Sequence, residues 1–360
     1  MDLVYLLNRT VTNRASDLHI CVGIPPVIRK HGDLNYLNEP IITRQNSEEM
    51  AKQCLNPTLF KELTIKGQVD VSYSLPDVAR FRINVFRQRE SISIAVRNIP
   101  IEVPEIESLG LPNISYDLAN KQRGLVLVTG PTGSGKSTTL AAMVNYINNS
   151  RRCHIITIED PIEFLHKHRK CIVNQREIGS DTNCYTDALR AALREDPDVI
   201  LIGEMRDYET IATALTAAET GHLVFSTLHT VGSAKTIDRI IDVFPPHQQG
   251  QVRSQLSTVL QGIISQQLIK KTEGNGRVLA TEVMVTTPAI SNLIRESRVQ
   301  QINTSIQTGL QYGMYSMDLC LANLFKNETI DIQSAYQYSV DLENLKKLIN
   351  TNFDIGMKTS

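Results

Sequence analysis

Apolar side chains recur along the first hundred residues with two different periods. Leu3, Leu6, Leu7 and Val11 repeat at helical spacing and predict an amphipathic opening helix. Leu18–Val22 and Val27–Lys30 read as strands, joined by a turn at Gly23, Pro25 and Pro26 and followed by a His31-Gly32-Asp33 turn. A helix is predicted over Ser47–Leu55, with Ser47 as its cap and Glu48 and Glu49 in its first turn. Val69–Leu75, Arg80–Arg87 and Ile92–Arg97 alternate apolar and polar residues, as half-buried strands do. Residues 1–98 therefore predict a small α+β domain.

Pro100, Pro104, Gly110 and Pro112 then interrupt any period, so 99–115 reads as a linker with one short helical turn at Ile106–Leu109. From Arg123 the pattern changes. Short, wholly apolar strands (Leu125–Val128, Ile155–Ile158, Val199–Ile202, Leu223–Ser226) alternate with helical stretches such as Asp187–Arg194 and Tyr208–Glu219. That alternation predicts an α/β core over 116–287, a mostly parallel sheet with helices on its faces. Residues 288–360 read as helical.

Composition narrows the picture modestly. In 360 residues, 37 Lys+Arg stand against 38 Asp+Glu, and Trp is 0 with 5% aromatics, which argues against broad nucleic-acid binding. The 6 cysteines, at 21, 54, 153, 171, 184 and 320, show no CxxC or zinc spacing and read as reduced thiols. Neither a signal-peptide pattern nor an apolar run of bilayer length is present, so the expected location is cytoplasmic, without direct membrane insertion.

The chemistry starts at GLVLVTGPTGSGKST, residues 124–138, where an apolar strand, a glycine-rich turn and a helix-forming run succeed one another. Gly130 to Ser137 satisfy the phosphate-loop pattern. Gly130, Gly133 and Gly135 allow backbone conformations that turn successive N–H groups into one concavity, to which the helix dipole adds positive potential. Pro131, Thr132, Ser134 and Thr138 complete the loop. Lys136 can reach terminal phosphates, and the Ser137 hydroxyl can join a Mg²⁺ shell. A nucleoside triphosphate is the expected ligand.

Hydrolysis needs further groups. Glu204 follows the buried strand Val199–Ile202, where a carboxylate can polarise attacking water, and is the first choice for that role unless it is an ordinary strand-end partner of Arg206; Gly203 stands where an aspartate is usual. Glu159, Asp160 and Glu163 leave the tip of another strand, with Glu163 the member expected to face the γ-phosphate, unless the group is a solvated acidic turn. His222 and His229 flank Leu223–Ser226 and read either as phosphate reporters or as structural histidines. Arg80, Arg82, Arg87, Arg89 and Arg97 form either a solvated basic face or a source of guanidinium for a nucleotide.

ASDLH (15–19), RFRIN (80–84), GPTGSGKST (130–138), ITIEDPIEFLH (156–166), LREDPDVILIGEMRD (193–207) and TGHLVFSTLHT (220–230) together resemble the ATPases of the type IV pilus and type II secretion superfamily, most closely the pilus-retraction (twitching-motility) or PilT family. The resemblance implies a PAS-like amino-terminal domain, a RecA-like ATPase domain, a homohexamer, ATP with Mg²⁺, and a motor at the inner membrane face that disassembles a pilus with a platform protein as partner. It places Lys136 and Ser137 in Walker A, Glu159, Asp160 and Glu163 in an Asp box, Glu204 in Walker B, and His222 and His229 in a His box. Arg82 and Arg97 match arginines that the family offers to nucleotide. The family's AIRNL segment is AISNL here, with Ser291 in place of arginine. Related extension or secretion ATPases, and a DNA-translocating RecA-like enzyme, are the alternatives.

Overall fold

The computed structural model describes residues 2–30, 32–75, 78–99, 102–274 and 276–350. His31 of the expected turn, Pro100 of the expected linker and residues 351–360 of the expected helical region lie outside them. The chain forms two compact units, Met1–Glu102 with Glu163–Leu165, and Val103–Ile162 with His166–Ser360.

The first unit is built on β1 (Asp17–Ile20), β2 (Val27–Lys30), β3 (Asp33–Tyr36), β4 (Gln68–Leu75), β5 (Ala79–Gln88) and β6 (Ser91–Ile99), in the order β3-β2-β1-β6-β5-β4. Every neighbouring pair is antiparallel. Along β5 Ala79, Phe81, Ile83 and Val85 are buried, while the arginines between them reach the other face. Leu3, Leu6 and Leu7 of the helix Leu3–Thr12 pack into the same core.

One helix start differs from expectation. The helix spans Arg44–Cys54, and its cap is Thr43 rather than Ser47. The Thr43 hydroxyl accepts from the Asn46 amide at 3.2 Å, and Asn46 Oδ1 accepts from the Thr43 amide at 3.2 Å. This reciprocal pair satisfies two of the helix's open N–H groups earlier in the chain, leaving Ser47 buried inside the first turns. A further helix, Pro57–Lys66, opens on Asn56 and closes at Gly67 in the left-handed region (φ 79°).

The second unit contains β7 (Gly124–Thr129), β8 (His154–Glu159), β9 (Ile172–Glu177), β10 (Val199–Ile202), β11 (Leu223–Leu228), β12 (Leu260–Lys270) and β13 (Arg277–Val285). Their order is β13-β12-β7-β11-β10-β8-β9. All neighbours run parallel except β12 and β13. Every residue of β7, β10 and β11 is buried, as strands covered on both faces require. Val126 and Val128 pack with Leu140, Val144 and Ile147 of the helix Lys136–Ser150, while Leu125 and Leu127 face Leu215, Ile240 and Leu256. Beyond Pro288 the described residues are helical, ending with Met317–Lys326, Ile332–Tyr338 and Leu342–Asn350. Among the described residues no helix is long and apolar enough to cross a membrane.

Candidate nucleotide site

Parallel pairing sets the site. Thr129 of β7 lies beside Leu228 of β11, Ser226 of β11 beside Ile202 of β10, and Ile202 beside Ile158 of β8. The four strands thus deliver the Gly130 loop, His229, Glu204 and Glu159 to one rim, the carboxyl end of the sheet. With strands roughly 4.8 Å apart, β7 and β10 are about 10 Å from each other, with β11 between them.

The loop from Gly130 is shaped by what lies behind it. Gly130 has φ 144°, and a Cβ there would collide with the Gln266 carbonyl and come within 2.7 Å of Ser134 Oγ. Gly133 and Gly135 are also left-handed, at φ 78° and 87°. Lys136 opens the helix Lys136–Ser150 and is almost fully buried. Its ammonium donates to the carbonyls of Gly130 at 2.9 Å and Pro131 at 3.0 Å, which keeps it over the loop. Among the described residues, the N–H groups of Gly133, Gly135 and Ser137 find no acceptor in the chain. Three unsatisfied donors beside a lysine at a helix start fit a polyphosphate. Ser137, the next residue on that helix, fits as an oxygen ligand for Mg²⁺.

Glu204 sits at the centre of the rim with its side chain only 13% exposed. One carboxylate oxygen accepts from Arg206 Nη2 at 2.6 Å and the other from His229 Nε2 at 3.2 Å. The Arg206 partnership weighed from the sequence is therefore present, and it shares the carboxylate with His229. Hydrogen bonding to Glu204 raises the Arg206 guanidinium further above its ordinary value. Glu159 Oε1 accepts from Thr157 Oγ1 at 2.6 Å and from Gln175 Nε2 at 3.2 Å. The Tyr185 hydroxyl is held protonated, first by burial and then by the charges of Asp160, Glu204 and Glu159.

One expected residue of the second unit, His222, is not brought to this rim. His222 precedes β11, at the end of the strand that pairs with Gly124, and so lies at the opposite edge of the sheet from the Gly130 loop. Its Nδ1 donates to the Ala217 carbonyl at 2.9 Å, a structural bond at a helix end. Direction of the strand separates the two histidines: only the one after β11 reaches the phosphate loop's side. Glu163 groups with the first unit, whereas Glu159 and Asp160 belong to the second. Arg82 and Arg97 are directly paired on β5 and β6 of the first unit.

One residue escaped the sequence reading. Gln266 of β12 is fully buried and bonds to the phosphate loop. Its signal is two consecutive glutamines inside the apolar run Leu260–Ile269. Ser291, where the family has arginine, donates its hydroxyl to the Ser257 carbonyl at 2.8 Å in the last turn of the helix Pro246–Val259.

Residues 67–309 match the family described as type II/IV secretion system protein. The type IV pilus retractation ATPase PilT of Pseudomonas aeruginosa is 51% identical over 344 residues, covering 96% of this chain and 100% of that protein. The twitching motility protein of Neisseria gonorrhoeae is 50% identical, covering 89% of this chain and 86% of its own. A crystal structure of the pilus retraction motor PilT with bound ADP superposes with a TM-score of 0.91 at 48% identity, over 96% of this chain and 99% of that one. By family match, by half identity along nearly its whole length and by fold, this chain belongs to the type II/IV secretion ATPases and, among them, to the pilus-retraction group.

Proposed function

We propose that the chain is an ATP-hydrolysing motor that powers retraction of a type IV pilus. The observation that carries this reading is the single rim on which Lys136, Glu204 and His229 stand, with the Glu204 carboxylate 3.2 Å from His229. In this reading the amides of Gly133, Gly135 and Ser137 with the Lys136 ammonium bind the β- and γ-phosphates of ATP. Glu204 takes a proton from the attacking water, or orients it through a second water, and the Arg206 and His229 bonds fix the carboxylate for that task. A bound Mg²⁺, held through Ser137, would neutralise charge on the phosphates. His229 reports the γ-phosphate to its own strand. Arg82 and Arg97 supply guanidinium to a nucleotide, as arginine fingers do.

The assembly proposed is a homohexamer at the cytoplasmic face of the inner membrane, docked on a platform protein of the pilus. Its motion would withdraw pilin subunits. One departure favours a second reading: Ser291 replaces the family's arginine, so the motor could serve a related extension or secretion machine.

Mass in solution and phosphate release, measured together across protein concentration with Mg²⁺ and ATP, test the main reading. Turnover that rises with assembly supports it. Assembled protein that releases no phosphate overturns it. Loss of twitching in a deletion strain, with fibres still extended, separates retraction from the second reading.

A further inference from the structure

The phosphate loop is bonded to β12 by one side chain. Gln266 is fully buried, and both ends of its carboxamide are used. Nε2 donates to the Ser134 carbonyl at 2.7 Å, and Oε1 accepts from Thr139 Oγ1 at 3.0 Å. Ser134 belongs to the loop and Thr139 to the first turn of the helix that follows, so one planar amide spans the junction between them. The backbone of the same residue supplies the carbonyl that excludes any side chain at position 130, and its Nε2 lies 3.4 Å from where a Cβ on Gly135 would be. Ser265, facing the other side of β12, accepts from the Gly232 amide at 2.9 Å, three residues past His229.

We propose that Gln266 is a positioning residue for nucleotide binding: it holds the loop in the shape in which the Gly133, Gly135 and Ser137 amides converge. It touches no phosphate itself. A loop without this brace must be ordered by the nucleotide, and that ordering subtracts from affinity equally in ground and transition states. The effect therefore falls on KM rather than on kcat. The inference rests on the ATPase reading above.

Gln266→Met keeps length and burial but removes both hydrogen bonds. Two buried hydrogen bonds at ordinary strength predict a KM for ATP raised about tenfold or more, with kcat at saturation within about threefold of the parent. Gln266→Glu, which sets an oxygen against the Ser134 carbonyl, should raise KM further. Thr139→Val removes one bond only and should give a smaller rise, which keeps the test open should Gln266→Met fail to fold. A merely structural glutamine would lower thermal stability and leave KM at the parental value in folded protein, and that result overturns the proposal. So does a fall in kcat at unchanged KM. Parental protein run in parallel separates the two readings: no turnover there strikes the ATPase reading, whereas an active parent with unchanged KM in Gln266→Met and Thr139→Val strikes only this one.

Discussion

Arg82 and Arg97 face one another across β5 and β6, two like charges at directly opposed positions of an antiparallel pair. Such a pair repels unless acids flank it. Asp70 lies 3.8 Å from Arg82 Nε, and Asp17 lies 3.2 Å from Arg97 Nε. Both arginines and Asp70 are exposed and only Asp17 is largely covered, so the pairs add little stability, but they hold two guanidinium groups on one face.

If that face serves a nucleotide on a neighbouring subunit, activity lost in one defective subunit returns in a mixed ring. Lys136→Ala and Arg82→Ala proteins should each be inactive alone and regain part of the parental phosphate release when co-assembled. Silence in rings shown to contain both would remove the arginines from catalysis in trans.

Glu204→Gln keeps the shape of the side chain and its place beside Arg206 but cannot take a proton. Nucleotide affinity should stay near parental while kcat falls by roughly 10² to 10⁴. Lys136→Ala should do the reverse first, weakening binding by removing the charge that faces the phosphates. Fluorescent-nucleotide titration beside single-turnover hydrolysis distinguishes them.

Gly130→Ala drives a methyl group into the Gln266 carbonyl at a φ of 144°, which L-residues avoid. Loop and strand cannot both keep their positions, so nucleotide binding should be lost and thermal unfolding should come several degrees earlier. A variant that binds ATP as tightly as the parent would contradict the packing described.

Burial lowers the His166 imidazole to about 4. Among the described residues its Nδ1 has no hydrogen-bond partner. The unfolded chain protonates this group near pH 6.5, so it binds the extra proton as pH falls from about 6.5 toward 4 and stability falls with it. Above pH 6.5 the effect vanishes. His166→Gln should narrow the gap in Tm between pH 7 and pH 5; an unchanged gap would assign the acid sensitivity elsewhere.

Thiol labelling should be ordered by exposure. Cys184 is exposed, whereas burial pushes Cys54 and Cys153 up to about 12 and Cys320 up to about 11. At pH 7.5 an alkylating reagent should modify Cys184 well before these three, read by peptide mass mapping over time.

The strands differ in how far the sequence exposes them. β7, β10 and β11 are legible because strands buried on both faces must be apolar throughout, and the glycine spacing after β7 has one dominant chemical meaning. β3 is four residues long and fully exposed, so the alternation of Leu34 and Tyr36 with Asp33 and Asn35 marks no buried face. β12 hides for the opposite reason, since its Gln266 and Gln267 interrupt an apolar run at buried positions. His222 and His229 look equivalent as flanks of one strand. Only the direction of a parallel strand, with functional loops at its carboxyl end, tells them apart. Thr43 lost to Ser47 because glutamates beside a serine imitate a cap, while the Thr43–Asn46 reciprocal bond needs geometry to be recognised.

The interleaving of β11 between β7 and β10 makes the chain unforgiving of insertions. One added residue between Leu223 and Leu228 would turn every following side chain to the opposite face and lift His229 past Glu204. Length variation among relatives should therefore collect in the hairpin turn after Lys270 and in other surface connections, and the six residues of β11 should stay constant in number.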